Sequence, residues 1–257
     1  MDIFQHFRKE EHEWIVQVQD IKDAVETTYE AKLTGFLNPR EVDIVQSVIG
    51  ADETVKVAFF GGVEGVERKR ALIYPFFEEV SPERYNIVMF HGAFDPKFST
   101  VSHRDLLGAL MALGVKREMF GDIHVFQGKV QWFATEEMQD FILMNLEGAG
   151  KTPLRLSTLP LHNAYDITDE WEEKTGFISS LRLDTAISEM YNLSRTKAKA
   201  YIENSRVKVN WRTVEDPSFQ IQTGDTLSLQ KHGRRKLFSI DSETKKGNLR
   251  VTYGLKK

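Results

Sequence analysis

The sequence predicts an α+β protein: N-terminal helices and a β-hairpin, a central ferredoxin-like βαββαβ domain, and a small basic α+β domain at the C-terminus. Three observations carry this. Apolar residues recur at three- and four-residue steps up to about Gly50 and change to short runs and alternation from Thr54. Strand and helix patterns then follow in the order βαββαβ between Tyr85 and Leu159. Charge is unevenly divided: residues 178–257 hold 16 Lys and Arg against 8 Asp and Glu, while the residues before them hold 18 against 30. A basic domain on an acidic body points to a polyanionic partner.

The elements follow in order. Trp14, Val18, Ile21, Val25 and Tyr29 mark one stripe of a first helix, with Gly35 as its stop signal. Asn38-Pro39 reads as an N-cap and first helical position, and Val42, Val45 and Ile49 continue that second helix. Val55 to Phe60 and Ala71 to Phe77 read as the two strands of a hairpin. Tyr85 to Phe90, Ile123 to Phe126, Val130 to Phe133 and Leu154 to Leu159 read as the strands of the next domain. Its helices are capped by Ser102 and Thr135. The acidic stretch from Pro160 to Thr175 reads as a linker or a lone surface helix. The expected divisions are 1–80, 81–165, a linker at 166–176, and 177–257.

Composition excludes several classes. The chain has 257 residues, 41% hydrophobic and 28% charged, an ordinary globular balance. It has no cysteine, which removes disulfides, thiolate metal sites and cysteine nucleophiles. The opening MDIFQHFRKEEHEW has no signal-peptide pattern, and no apolar stretch approaches the ~18 residues of a spanning helix. A cytoplasmic protein without membrane contact is expected. There is no GxxxxGK[ST] loop, no pair of histidines spaced as on a zinc helix, and no kinase signature beyond His103-Arg104-Asp105. Neither a catalytic group, a metal nor a cofactor is expected.

The informative segment follows Gly176. Leu183, Ile187 and Met190 make the apolar side of one helix, and Ser194 caps a second on which Ala198 and Ile202 share a face. Arg195 and Lys199 lie one turn apart on another face, with Lys197 beside them. Val207 and Val209 alternate with Arg206 and Lys208, a strand with one basic face. The expected RNA contacts are Arg182, Ser194, Arg195, Thr196, Lys197, Lys199, Arg206, Lys208, Asn210, Arg212, Arg234, Arg235 and Lys236. The cations would meet phosphates, while Thr196 and Asn210 would add polar contacts or brace the fold. A second phosphate site is expected at Gly61, Gly62, Arg68, Lys69 and Arg70, where free backbone N–H groups neighbour three cations.

These residues resemble a known module. Arg182-Leu183-Asp184, Ser194-Arg195-Thr196, Val207-Lys208-Val209-Asn210 and Gly224-Asp225 stand in the order of the RNA-binding domain of the ribosomal small-subunit protein S-four family. Two positions depart from it: Ser205 and Trp211 stand where that family usually has glycine. Together with Phe59-Phe60-Gly61-Gly62, Glu67-Arg68-Lys69-Arg70 and the His103 to Gly108 helix, the whole chain resembles the YlmH family of Gram-positive bacteria. The resemblance implies a protein that binds ribosomal RNA and tRNA on the large subunit, and a monomer off the ribosome is expected. It implies a role in rescue of stalled ribosomes, helping to hold peptidyl-tRNA while the nascent chain is tailed, and a link to cell-division genes. An RNA-modifying enzyme and a protein-binding cell-division scaffold are the alternatives. Asp184, inside the binding module, reads as a partner for a neighbouring donor and not as a nucleophile.

Overall fold

The structure is a computed structural model and describes residues 7–165, 171–244 and 247–256. The chain divides into two compact units, residues 1–167 and 168–257.

The first unit opens with α1 (His12–Thr28), which ends where Tyr29 turns left-handed at φ 57° and returns its N–H to the Val25 carbonyl. β1 (Lys32–Leu37) and α2 (Pro39–Ile49) follow, then β2 (Val55–Phe60) and β3 (Lys69–Pro75). Gly35 therefore lies within a strand, and the helix stops seven residues before it. The hairpin of β2 and β3 gains β1 as a third strand, in the order β1-β3-β2. Asn38 caps α2 as expected. Its carboxamide oxygen accepts from the N–H groups of Arg40 and Glu41, and Glu41 reaches back to the Asn38 N–H. Val18 and Val25 of α1, Val45 and Ile49 of α2, and Val55, Ala71 and Ile73 of the sheet form one core.

β4 (Ile87–Ala93), α3 (His103–Ala112), β5 (Phe120–Phe126), β6 (Lys129–Thr135), α4 (Gln139–Asn145), the short pair β7 (Gly148–Ala149) and β8 (Thr152–Pro153), and β9 (Arg155–Leu159) complete this unit. The main sheet runs β5-β6-β4-β9, antiparallel throughout. Counted within this region the order is second, third, first, fourth, the ferredoxin-like arrangement. α3 and α4 cover one face, with Leu106, Leu110 and Ile142 over Phe90, Phe120 and Trp132. Asp105, which imitates a catalytic-loop aspartate in sequence, is the third residue of a capping box with Ser102.

The expected division near residue 80 does not separate two bodies. Phe36 and Val66 from the first region pack with Met89 and Phe133 from the second in a shared core. Gly62 marks the closeness: at φ 108° it lies where a Cβ would sit 2.6 Å from the Phe133 ring.

The second unit holds β10 (Trp171–Ile178), α5 (Leu183–Met190), α6 (Arg195–Glu203), β11 (Val207–Val209), β12 (Arg212–Thr213), β13 (Thr226–Leu229), β14 (Gly233–Glu243) and β15 (Leu249–Lys256). One sheet runs β10-β15-β14-β13-β11-β12. The linker expected at 166–176 is corrected here. Residues 166–170 lie outside the described residues, and from Trp171 the chain is strand, paired with β15 from Trp171–Lys256 to Ile178–Leu249. The exposed Glu172, Glu173, Lys174 and Thr175 belong to an edge strand, where polar side chains meet solvent while the backbone is paired. α5 and α6 pack on one face of the sheet through Leu183, Ala186, Ile187, Ala198 and Ile202 against Val207, Val209, Leu227, Leu229, Leu237 and Val251.

Candidate nucleic-acid interface

α6 forms because Ser194 caps it, its Oγ accepting from the Lys197 N–H, and because Ala198 and Ile202 let it lie close on α5. The remaining positions face solvent: Arg195, Thr196, Lys197 and Lys199 are exposed. Lys199 pairs with Glu203 one turn on, at 3.5 Å.

The organising group is Asp184, in the first turn of α5 and only 3% exposed. Arg182 grips it with two hydrogen bonds of 3.1 Å, and Arg195 Nε donates to Oδ2 at 3.1 Å. Burial alone would raise this carboxyl's pKa. The hydrogen bonds and charges of the two guanidinium groups outweigh it, and the net shift is downward. The Asp184 hydrogen bond and charge in turn raise the pKa of Arg182. One buried anion thus orients two cations toward the start of α6 while their other N–H groups stay accessible. Asp184 is the partner of neighbouring donors that the sequence suggests, and it serves two of them. Cations fixed in this way beside a helix N-terminus suit phosphate oxygens at defined spacing.

The other expected contacts divide into three sets. Arg206 and Arg212 are exposed, and Arg206 lies over the Tyr201 ring at 5.9 Å, next to α6. Ser194, Asn210 and Arg235 are braces. Arg235 donates to the Met190 and Arg234 carbonyls and lies 4.8 Å over the Tyr191 ring. Lys208, Arg234 and Lys236 stand apart from α6: Lys208 is opposite Ser228, Ser228 opposite Arg234, and Thr226 opposite Lys236. Leu227 and Leu229 between them point into the core under α5 and α6, so these three cations project from the far face of the sheet.

Asn210 and Trp211 form the two-residue turn between β11 and β12, both at positive φ (47° and 65°). That is a type I′ geometry, which asparagine and glycine adopt readily and tryptophan does not. Ser205, the other departure from glycine, is also left-handed, at φ 57°. The turn keeps its shape with the wrong residue in it. Trp211 is absent from the contacts expected on sequence, where it counts only as a departure from glycine. Its signal is the pairing of a large aromatic with a turn that demands φ above zero.

The second expected phosphate site is corrected. Arg70 is 8% exposed; it donates to the Thr34, Tyr85 and Asn86 carbonyls, and burial pushes its pKa down to about 10. Arg68 donates to the Phe36, Phe120 and Arg117 carbonyls. Both guanidinium groups are internal staples. The backbone N–H groups of Glu67 and Arg68 do hold an anion, but it is the carboxylate of Asp122, at 2.6 and 3.1 Å. Lys69 faces the opposite way from Arg70 and is partly exposed.

Comparisons with known proteins agree with this layout. Residues 81–163 match the family described as "Putative RNA-binding domain in YlmH", and residues 181–227 match the S4 domain. Over 254 residues the chain is 41% identical to the Ribosome-associated protein quality control protein P2 of Bacillus subtilis, covering 98% of each chain. The chain belongs to the YlmH family. The solved structure of the Cell division protein ylmH from Streptococcus pneumoniae superposes with a TM-score of 0.53 at 25% identity, over 64% of this chain and 99% of that one. Within this YlmH-family chain the S4 match spans α5, α6 and the strands up to the start of β13, which includes the Asp184 cluster and the Asn210-Trp211 turn.

Proposed function

We propose that the chain is a non-catalytic protein of the cytoplasm, monomeric off the ribosome. It binds ribosomal RNA, and tRNA beside it, on the large subunit during rescue of stalled ribosomes. The observation that carries this reading is the cluster at the start of α6: Arg182 and Arg195 held by the buried Asp184, with Lys197 and Lys199 exposed alongside. Positioned cations of this kind supply backbone contacts whose geometry suits a folded RNA. The two domain matches support RNA as the ligand, and the name of the Bacillus subtilis relative supports the ribosomal setting. No helix among the described residues is long and apolar enough to cross a membrane.

Sucrose-gradient sedimentation of the full chain with ribosomal subunits tests this. Co-migration with large subunits, abolished by ribonuclease, is the expected profile. Migration with small subunits alone, or free at the top of the gradient, overturns it. Mass spectrometry of subunit RNA incubated with the chain should show no mass shift, whereas a chemical change in the RNA would make the protein an enzyme.

A further inference from the structure

The sheet of the second unit has a face that α5 and α6 do not cover. Strand pairing puts Lys208, Arg234 and Lys236 on it. It also puts Trp171, Glu173, Gly254 and Lys256 there, since Trp171 pairs with Lys256 and Glu173 with Gly254, and Gly254 pairs with Lys236. Phe238 joins them from a register shift in β14 and lies edge-on to Trp171, ring centroids 6.2 Å apart. Gly254 leaves room for both: a Cβ there would meet the Phe238 ring at 2.6 Å and Trp171 Cβ at 2.8 Å. Lys256 lies 5.3 Å over the Trp171 ring. Trp211 leans onto the same face, with the Arg234 guanidinium 5.5 Å from its ring centre.

Trp211 is the informative residue. It sits at φ 65° in a turn where glycine would be unstrained, and a bulky side chain in that region costs about 1–2 kcal/mol. It lies outside the hydrophobic core of this unit and is half-buried, with the Arg234 guanidinium against its ring. A strained residue with a partly exposed aromatic ring among cations is the pattern of a binding position. Flat π-faces interleaved with Lys and Arg match unpaired nucleotides, whose bases stack and whose phosphates need positive charge. The carboxylates on this side are Glu173, on the edge strand, and Asp241, which is engaged by the Ser239 and Thr252 hydroxyls, so the cations outnumber them.

We propose that this face is a second RNA-binding surface, which stacks bases of unpaired nucleotides on Trp211 and sets their phosphates against Lys208, Lys236 and Arg234. It rests on the reading of the chain as an RNA-binding protein and adds a ligand class, single-stranded RNA, at a surface separate from α6. A strand running over this face and a folded RNA at α6 would be held by one small domain from both sides.

The test uses the full chain with two probes, single-stranded oligoadenylate and a blunt RNA duplex, read by fluorescence anisotropy. Trp211→Gly should lose oligoadenylate affinity by roughly 5- to 150-fold, the value of one base stack, and keep its duplex affinity. A melt of each variant is the folding control, since Trp211→Gly relieves the turn strain but also removes the ring contact with Arg234. Trp211→Phe, which retains both a ring and the strain, should recover most of the lost affinity. Unchanged oligoadenylate binding by Trp211→Gly overturns the proposal, as does a loss on both probes that Trp211→Phe does not restore. If the parent binds duplex but not oligoadenylate, this inference fails alone. If it binds neither, the RNA-binding reading of the chain fails with it.

Discussion

Asn210 and Asp225 are joined by a hydrogen bond of 2.7 Å from Nδ2 to Oδ1, across 15 residues of sequence, while Asn210 Oδ1 accepts from the Thr226 N–H at 2.9 Å. The asparagine of the Val-x-Val-Asn element and the aspartate of the Gly-Asp element are thus one device that locks the β11–β12 turn to the start of β13. Asn210→Ala removes both bonds and places a Cβ residue without a local polar partner at φ 47°. We expect a loss of about 2–3 kcal/mol. Asn210→Gly removes the bonds but not the backbone freedom and should lose less. Chemical denaturation of both variants checks the order, and equal losses would mean the turn conformation contributes nothing.

Asp184 should make stability depend on acid. Its pKa is lowered in the folded state, so its contribution is present above the unfolded carboxylate value of about 3.9 and is lost as pH falls through the lower folded value. Asp184→Asn should cost about 1–3 kcal/mol at neutral pH, the scale of hydrogen bonds to a charged group. The gap between variant and parent should close as pH drops below about 4. Melts across that range decide it, and a gap that is constant with pH would show that the charge of Asp184 is irrelevant.

Arg70→Met should destabilise the first unit without changing the salt dependence of RNA binding. It leaves the Thr34, Tyr85 and Asn86 carbonyls without their donor, a loss of about 3 kcal/mol or more. Binding measured well below the melting point should keep the parent's slope against log salt. A slope that flattens by about one unit would restore Arg70 as a phosphate contact.

Lys197→Ala with Lys199→Ala probes α6 without disturbing the Asp184 cluster. For about five phosphate contacts the log–log salt slope of the parent should be roughly −3.5 to −4.5, and each contact removed should lessen it by about 0.7–0.9. Both side chains are exposed, so melting should shift little; the Lys199–Glu203 pair contributes about 0.3–0.5 kcal/mol. A double variant with the parent's affinity and slope would remove α6 from the interface.

The helix caps at Asn38, Ser102 and Ser194 and the ferredoxin-like strand order are legible in the sequence, because caps and periodicity act within a few residues. The strand β1 is not: Lys32-Leu33-Thr34-Gly35-Phe36-Leu37 does not alternate, and it is a strand because β3 pairs with it. The strand β10 is hidden for a related reason, its acidic residues reading as a linker until β15 supplies a partner. Arg68 and Arg70 resemble a basic loop, but their spacing of two turns both inward once β3 is placed. The exposed cations of α6 are legible from one helix, whereas their link to Asp184 joins α5 to α6. That Lys208, Arg234 and Lys236 belong to a different face depends on the register of three strands, which no local pattern encodes.

The pairing of β10 with β15 sets the first and last strands of the second unit side by side, with Trp171 directly opposite Lys256. The module is therefore entered and left at one place, like a loop drawn from a single stitch. Such a unit can be spliced into a host chain, or its ends joined and reopened elsewhere, without stretching a connection across its body. A fragment cut at Phe177 removes most of that first strand and bares the edge of β15, whereas one that begins ahead of Trp171 carries its own border.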